Sequence, residues 1–123
     1  MVSEIKLFEI GTVVKERTSS TVLLEKQLQT MIEQNMETFF GIRFLKSEYA
    51  ITSGRMDSIG IDENNSPVIF EYKRSMSENV INQGLFYLDW LLDHKADFKL
   101  LVIEKLGMEV ADQIDWSVPC VIC

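Results

Sequence analysis

The sequence predicts an α/β fold in which a central mixed β-sheet, an antiparallel meander plus further strands, is flanked by helices. Three observations predict it. Stretches that alternate with period two or are rich in β-branched and aromatic residues lie at Glu4–Ile10, Arg55–Ile61 and Val68–Lys73. Apolar residues at three- and four-residue spacing occupy Leu24–Phe39 and Ile81–Leu92, on either side of the central pair of strands. With 123 residues, 46% of them hydrophobic and 10% aromatic, the chain is expected to form one folded domain, residues 1–123, with a real core.

The elements follow in order. Glu4–Ile10 alternates like a strand, and Lys15–Thr21 is polar enough to be a loop. From Thr21 to about Thr38 the residues Leu24, Leu28, Met31, Ile32 and Phe39 mark an amphipathic helix that Gly41 stops. On that helix Glu25 sits beside the apolar stripe and is placed to reach inward, while Glu33 and Glu37 fall on the solvent face. An acidic residue near a helix N-terminus is also simply favourable.

Next comes a hairpin. Gly54-Arg55-Met56-Asp57 opens one strand, Asp62–Pro67 supplies turn chemistry, and Val68–Lys73 is the returning strand. A turn centred near Asn64 makes opposed positions sum to 128, pairing Ile61 with Pro67, Ile59 with Ile69 and Asp57 with Glu71. Alternation then puts Asp57, Ile59, Ile69, Glu71 and Lys73 on one face and Val68, Phe70 and Tyr72 on the other. Opposed side chains have Cβ atoms roughly 4.5 to 5.5 Å apart, a distance at which like charges destabilise a sheet unless something neutralises them. A divalent cation does so. Mg²⁺, or Mn²⁺, takes oxygen ligands and needs only one or two carboxylates, so Asp57 and Glu71 suffice as metal ligands. Lys73 is then placed to act on an attacking water or on phosphate charge. The competing reading, a solvated salt-bridge cluster on an exposed sheet face, is left open by the spacing alone.

After Lys73, Ser75-Met76-Ser77-Glu78 offers a capping box to a helix in which Ile81, Leu85, Leu88 and Leu92 make an apolar stripe. Gln83 and Tyr87, four apart, share one face beside it. Its N-terminus, with the positive end of the dipole, falls near the hairpin carboxylates and suits a phosphate. His94 at its end reads as a C-terminal cap. Asp97–Ile103 reads as a buried strand, Gly107 to about Gln113 as a short helix, and Trp116–Cys123 as a last strand.

Asp57 followed by Glu71-Tyr72-Lys73 resembles the signature of the PD-(D/E)XK, restriction-endonuclease-like nuclease superfamily. Gln83-Gly84-Leu85-Phe86-Tyr87 resembles the Gln-x-x-x-Tyr motif of its RecB-type members, and Leu24-Glu25 stands where an additional acidic residue is often found. The run from Leu24 to Leu92 looks like the nuclease domain of NucS-type DNA endonucleases, and the resemblance covers roughly residues 20–104. Met56 stands where the superfamily name has proline. The resemblance implies Mg²⁺- or Mn²⁺-dependent hydrolysis of nucleic-acid phosphodiester bonds, DNA being the expected substrate. Asp57, Glu71, Lys73, Gln83 and Glu25 would be its catalytic residues, with Arg55, Arg74 and Tyr87 at the substrate.

Charge argues the other way. With 12 basic and 19 acidic residues the chain stands at −7, whereas nucleic-acid binders usually carry a basic face. Metal ligands count as negative in that tally, a bound cation reverses the local sign, and Arg43, Lys46, Arg55, Lys73 and Arg74 lie in sequence near the hairpin. Two further readings therefore stand beside the nuclease: an inactive nuclease-fold module that binds nucleic acid or a protein partner, and a subunit whose apolar surface drives oligomerisation, in the simplest case a homodimer. Cys120 and Cys123 lack further ligands for zinc and read as small hydrophobes on a buried strand. Reduced thiols, the lack of a leader and the short apolar runs set a cytoplasmic location without membrane contact as the expectation. Because the last strand stops without a turn or polar tail, the natural chain is expected to continue, with part of the substrate surface in that C-terminal region.

Overall fold

The computed structural model describes residues 4–6, 18–72 and 78–122. In chain order the elements are β1 (Glu4–Lys6), α1 (Thr18–Gln34), α2 (Met36–Phe40), β2 (Ile42–Ile51), β3 (Gly54–Asp62), β4 (Pro67–Phe70), α3 (Glu78–Asp93), α4 (Lys95–Leu106), α5 (Met108–Ala111) and β5 (Cys120–Ile122). They form a five-stranded sheet of order β1-β5-β4-β3-β2. β2, β3 and β4 are an antiparallel meander, and β5 runs parallel to both β4 and β1. The mixed sheet flanked by helices is the architecture expected from the sequence.

The sheet divides the core in two. Ile32 and Met36 pack with Ile42, Val68, Phe70, Tyr72, Cys120 and Ile122 under the α1–α2 layer. Leu45, Ile59, Ile61, Ile69 and Val121 face Tyr87, Leu88, Leu91, Phe98, Leu101 and Val102 from the α3–α5 layer. The even and odd residues of β4 thus part as period-two alternation requires. Cys120 is buried on β5, as its reading as a small hydrophobe on a buried strand required, whereas Cys123 lies outside the described residues.

The β3–β4 register is the one the turn dictated: Ile61 pairs with Pro67, Ile59 with Ile69 and Ser58 with Phe70. Asp62 closes the turn, its Oδ1 accepting from the Asn64 and Ser66 amides at 2.9 Å each, while Asn65 adopts φ 65°. β2 carries a register shift between Phe44 and Lys46, which turns Leu45 fully into the core.

Several sequence expectations are corrected. The helix expected to run through to Thr38 is broken at Asn35, whose Nδ2 donates to the Met31 carbonyl at 2.8 Å and so competes with the helical ladder. Gly41, at φ 66°, then terminates α2. Thr18–Thr21, expected within a loop, is already helical. Asp97–Ile103 is not a strand but the middle of α4: Phe98, Leu101 and Val102 are buried while Lys99 and Leu100 are exposed, the i, i+3, i+4 spacing of a helix. A short apolar run does not by itself separate a buried strand from a buried helix. Trp116 is not in the last strand. It packs edge-on against Phe98 at 5.4 Å, and only Cys120–Ile122 joins the sheet. The apolar stripe of α3 is rotated from the expected one, so that Val80, Tyr87, Leu88 and Leu91 are buried while Leu85 is 38% exposed. The proposed capping box at Ser75–Glu78 falls largely outside the described residues.

Candidate active site

The carboxylates of the hairpin meet where β3 passes the C-terminal end of β4. The strand expected to run to Lys73 ends at Phe70, so Asp57, just before Ser58 on β3, and Glu71, just past β4, flank the last ladder pair Ser58–Phe70 without themselves pairing in the ladder. Asp57 is half-buried and its Oδ2 accepts from the Tyr72 backbone amide at 2.9 Å. Glu71 is only 3% exposed, and its amide donates to the Ile122 carbonyl at 2.9 Å, so β5 fixes the backbone that carries it. An ionised carboxylate this deeply buried is retained only where neighbouring groups offset its desolvation. Lys73 and Arg74 lie outside the described residues.

From the other face, α1 reaches the same strands with residues the sequence reading had not placed there. Gln29 is 8% exposed and its Nε2 donates to the Asp57 carbonyl at 3.0 Å, to Ser47 Oγ at 3.1 Å and to Glu33 Oε2 at 3.2 Å. Glu33, expected on the solvent face, is half-buried and accepts from Ser58 Oγ at 2.5 Å. Ser58 accepts in turn from the Tyr72 hydroxyl at 2.9 Å. The reason for the miss is one of phase: the buried face of α1 runs through Gln29 and Ile32, in line with Met36 of α2, and Met31 is 45% exposed. Polar residues that find partners on the sheet can occupy a buried face. Glu25 lies half-buried one helical turn before Gln29, on the same side of α1.

Tyr72 records the charge of this region. Burial pushes its phenol well above the usual tyrosine value, the Ser58 bond opposes the rise, and the nearby Glu33, Asp57 and Glu71 carboxylates add to it.

α3 contributes Gln83 and Tyr87, which act as one unit. Gln83 Nε2 donates to the Tyr87 hydroxyl at 2.8 Å, and that hydroxyl also accepts from the Arg55 amide at 3.1 Å. Tyr87 is 2% exposed. The pair therefore pins the start of β3, two residues before Asp57. Gly54 leaves the room for this contact, since a Cβ there would lie 2.6 Å from the Tyr87 oxygen.

Beside Asp57 lies an ionic cluster. Ser47 pairs with Ser58 and Tyr49 with Met56, so Glu48 on β2 stands across from Asp57. Its carboxylate binds Lys26 of α1 and lies 3.7 Å from Arg55 of β3. The Lys26 hydrogen bond and charge, with help from Arg55, hold the Glu48 carboxyl below the usual range. Arg43, by contrast, is committed to the hairpin turn, where it donates to the Asp62 carbonyl at 3.0 Å and Asn65 Oδ1 at 2.7 Å. Lys46 lies over the Tyr49 ring. His94 does cap α3, its Nδ1 2.7 Å from the Trp90 carbonyl. Among the described residues no group of three or more His, Cys, Asp and Glu side chains gathers in a way that could hold a metal ion, and no helix is long and apolar enough to cross a membrane.

Comparison with known proteins bears on the family and the fold. The family model described as the endonuclease NucS C-terminal domain matches residues 24–115. An uncharacterised protein of Haemophilus influenzae is 38% identical over 96 residues, 76% of this chain and 32% of that protein. Among solved structures, a chain of an EndoMS–dsDNA2 complex superposes with a TM-score of 0.52 at 20% identity, over 94% of this chain and 40% of that one. A repair endonuclease from Pyrococcus abyssi gives a TM-score of 0.48 at 18% identity, over 90% of this chain and 39% of that one. The chain thus spans between a third and two-fifths of the length of these relatives. By the extent of the family match and the shared fold, the chain belongs to the endonuclease NucS C-terminal domain family, within the restriction-endonuclease-like nuclease superfamily.

Proposed function

We propose that this domain hydrolyses phosphodiester bonds of nucleic acid, with DNA as the substrate, in a Mg²⁺- or Mn²⁺-dependent reaction. The observation that carries the reading is the placement of Asp57 on β3, next to the Ser58–Phe70 pair, and of Glu71 immediately past the end of β4, one half-buried and one almost fully buried. Two hard oxygen donors on neighbouring strands fit an ion that keeps several waters and takes substrate phosphate as a further ligand. When bound, such an ion supplies polarisation of the phosphoryl oxygen and a lowered pKa for the attacking water.

The chain's own residues have separable tasks. The Tyr72 amide and Gln29 Nε2 hold Asp57, at its carboxylate and its carbonyl, so that it enters the reaction already oriented. The β5 backbone does the same for Glu71. Lys73 follows Glu71 by two residues, and its ammonium orients the attacking water or offsets charge developing on the phosphate. Glu25 assists as a further acidic group on α1. Gln83 and Tyr87 act through Arg55, as positioning residues for β3, rather than by touching substrate. Arg55 and Arg74 serve the phosphate backbone. The family model is that of an endonuclease domain and one structural neighbour was solved in complex with double-stranded DNA, which supports a DNA substrate.

The test is direct. Asp57→Ala and Lys73→Ala should each abolish metal-dependent cleavage of a labelled duplex while leaving the circular dichroism spectrum unchanged. Equal activity in wild type and Lys73→Ala overturns the reading. Calorimetric titration with Mn²⁺ separates the inactive-module alternative: binding lost in Asp57→Ala and Glu71→Ala supports the metal site, and no binding by wild type favours the inactive module.

A further inference from the structure

We propose that Lys26 and Arg55 form a clamp for a backbone phosphate of nucleic acid, and that the Glu48 carboxylate occupies the clamp until a phosphodiester displaces it. The inference rests on the nucleic-acid reading above and adds to it a binding site and an internal competitor.

Convergence is the first argument. Lys26 Nζ and Arg55 Nη1 come from different elements, α1 and β3, and both approach the same oxygen, Oε1 of Glu48. Two cations aimed at one anionic oxygen form a receptor for an anion of that size, and a phosphate oxygen presents the same charge with further acceptors for the guanidinium fork. Position is the second. Glu48 stands across from Asp57, and Arg55 lies two residues before Asp57 on the same strand, so the clamp borders the carboxylates that would act on the scissile bond. An anchored neighbouring phosphate would fix the register of the backbone over Asp57.

Accessibility is the third. The Lys26 and Arg55 side chains are 59% and 57% exposed and Glu48 is 35% exposed, so a ligand can reach the cations and the carboxylate can leave. Other cations on the meander are engaged elsewhere, Arg43 in the hairpin turn and Lys46 over Tyr49. Backbone geometry is the fourth. Glu48 has φ 52°, a left-handed conformation that a β-branched or bulky residue rarely takes within a strand. The ladder holds on both sides of it, so this local departure aims one side chain without altering the register. In a chain of net charge −7, two converging cations would otherwise be the natural landing point for any stray polyanion. A resident carboxylate confines binding to ligands able to displace it.

The test is fluorescence anisotropy with a short fluorescein-labelled DNA duplex, without divalent ions, over a series of salt concentrations. Glu48→Gln keeps the side-chain shape, removes the competing charge and should tighten binding by about two- to fivefold, the range of an exposed ion pair. Lys26→Gln and Arg55→Gln should each weaken binding and reduce the slope of log K against log salt by roughly 0.9, one phosphate contact each. Thermal melts of the three variants control for folding. Binding by Glu48→Gln no tighter than wild type, unchanged salt slopes in the two cation variants, or no binding by any of the four proteins overturns the clamp. Metal-dependent cleavage by wild type together with unaltered binding in Glu48→Gln removes the clamp alone. The expected binding pattern without cleavage under any metal keeps the clamp and removes the nuclease.

Discussion

Tyr72 enters the site from both of its ends. The backbone amide orients Asp57, while the phenol, under the α1 layer, joins Ser58 and through it Glu33 of α1. One residue thereby couples the candidate metal ligand to the helix that covers the sheet. The phenol's pKa gives this coupling a pH signature. Its folded value lies above the ordinary 10.0, so the neutral form is favoured by folding. Stability from this group is present in full below pH 10.0 and is lost as pH rises from there towards the folded value, because the unfolded chain releases the proton first. Tyr72→Phe should flatten that alkaline fall in urea-unfolding free energy. At neutral pH it should cost about 0.5–1.5 kcal/mol for the lost bond to Ser58. Tyr49 is shifted in the same direction by burial and by Asp97, so a part of the alkaline fall should remain in the variant. Residue identities alone could place Asp57, Glu71, Gln83 and Tyr87, because strand alternation and i, i+4 spacing are properties of local sequence. They could not place Gln29, Glu33 and Glu48, whose partners include groups on other elements and whose polarity reads as solvent exposure.

At the scale of elements, the close approach of α2 and β2 to β3 depends on Gly60. A Cβ there would lie 2.5 Å from Ile42 Cγ2 and 2.8 Å from the Arg43 carbonyl, and the second contact is backbone that cannot swing aside. Gly60→Ala should lower stability by about 1–3 kcal/mol through overpacking, measured by denaturant unfolding, with the midpoint shifted and the slope unchanged. The hairpin containing Gly60 was legible in sequence down to its register, since Asp62–Pro67 contains the turn residues and the flanking strands alternate. α4 was not. Its apolar run fits a buried strand or a buried helix equally, and the choice is made by the sheet, whose β4 edge is taken by β5. The face of α1 was misjudged for a similar reason: Met31 looks like core but is 45% exposed, while Gln29 and Glu33 gain hydrogen bonds by turning inward.

For the whole molecule, β5 has the largest leverage on the site for its size. Three residues long, it bridges β4 and β1, buries Val121 completely, and accepts the Glu71 amide through Ile122. Val121→Asp places a carboxylate in the buried apolar cluster that contains Ile69, Leu91 and Val102. It should abolish the cooperative thermal transition seen by circular dichroism and leave the protein in the insoluble fraction on expression. A chain that retained both a cooperative melt and its solubility would show that the sheet does not depend on this strand.

The same strand sets the order in which the molecule can be made. The meander β2–β4 joins neighbours in sequence and can form early, but its β4 edge stays open until residues some fifty positions downstream arrive, a long loop closure that slows folding. During synthesis on the ribosome, Glu71 therefore lacks its backbone anchor until Ile122 has emerged. A nascent or prematurely terminated chain carries the acidic pair without the support that orders it. The backbone order around the acidic pair is then the last part of the sheet to be set, completed only with the final strand.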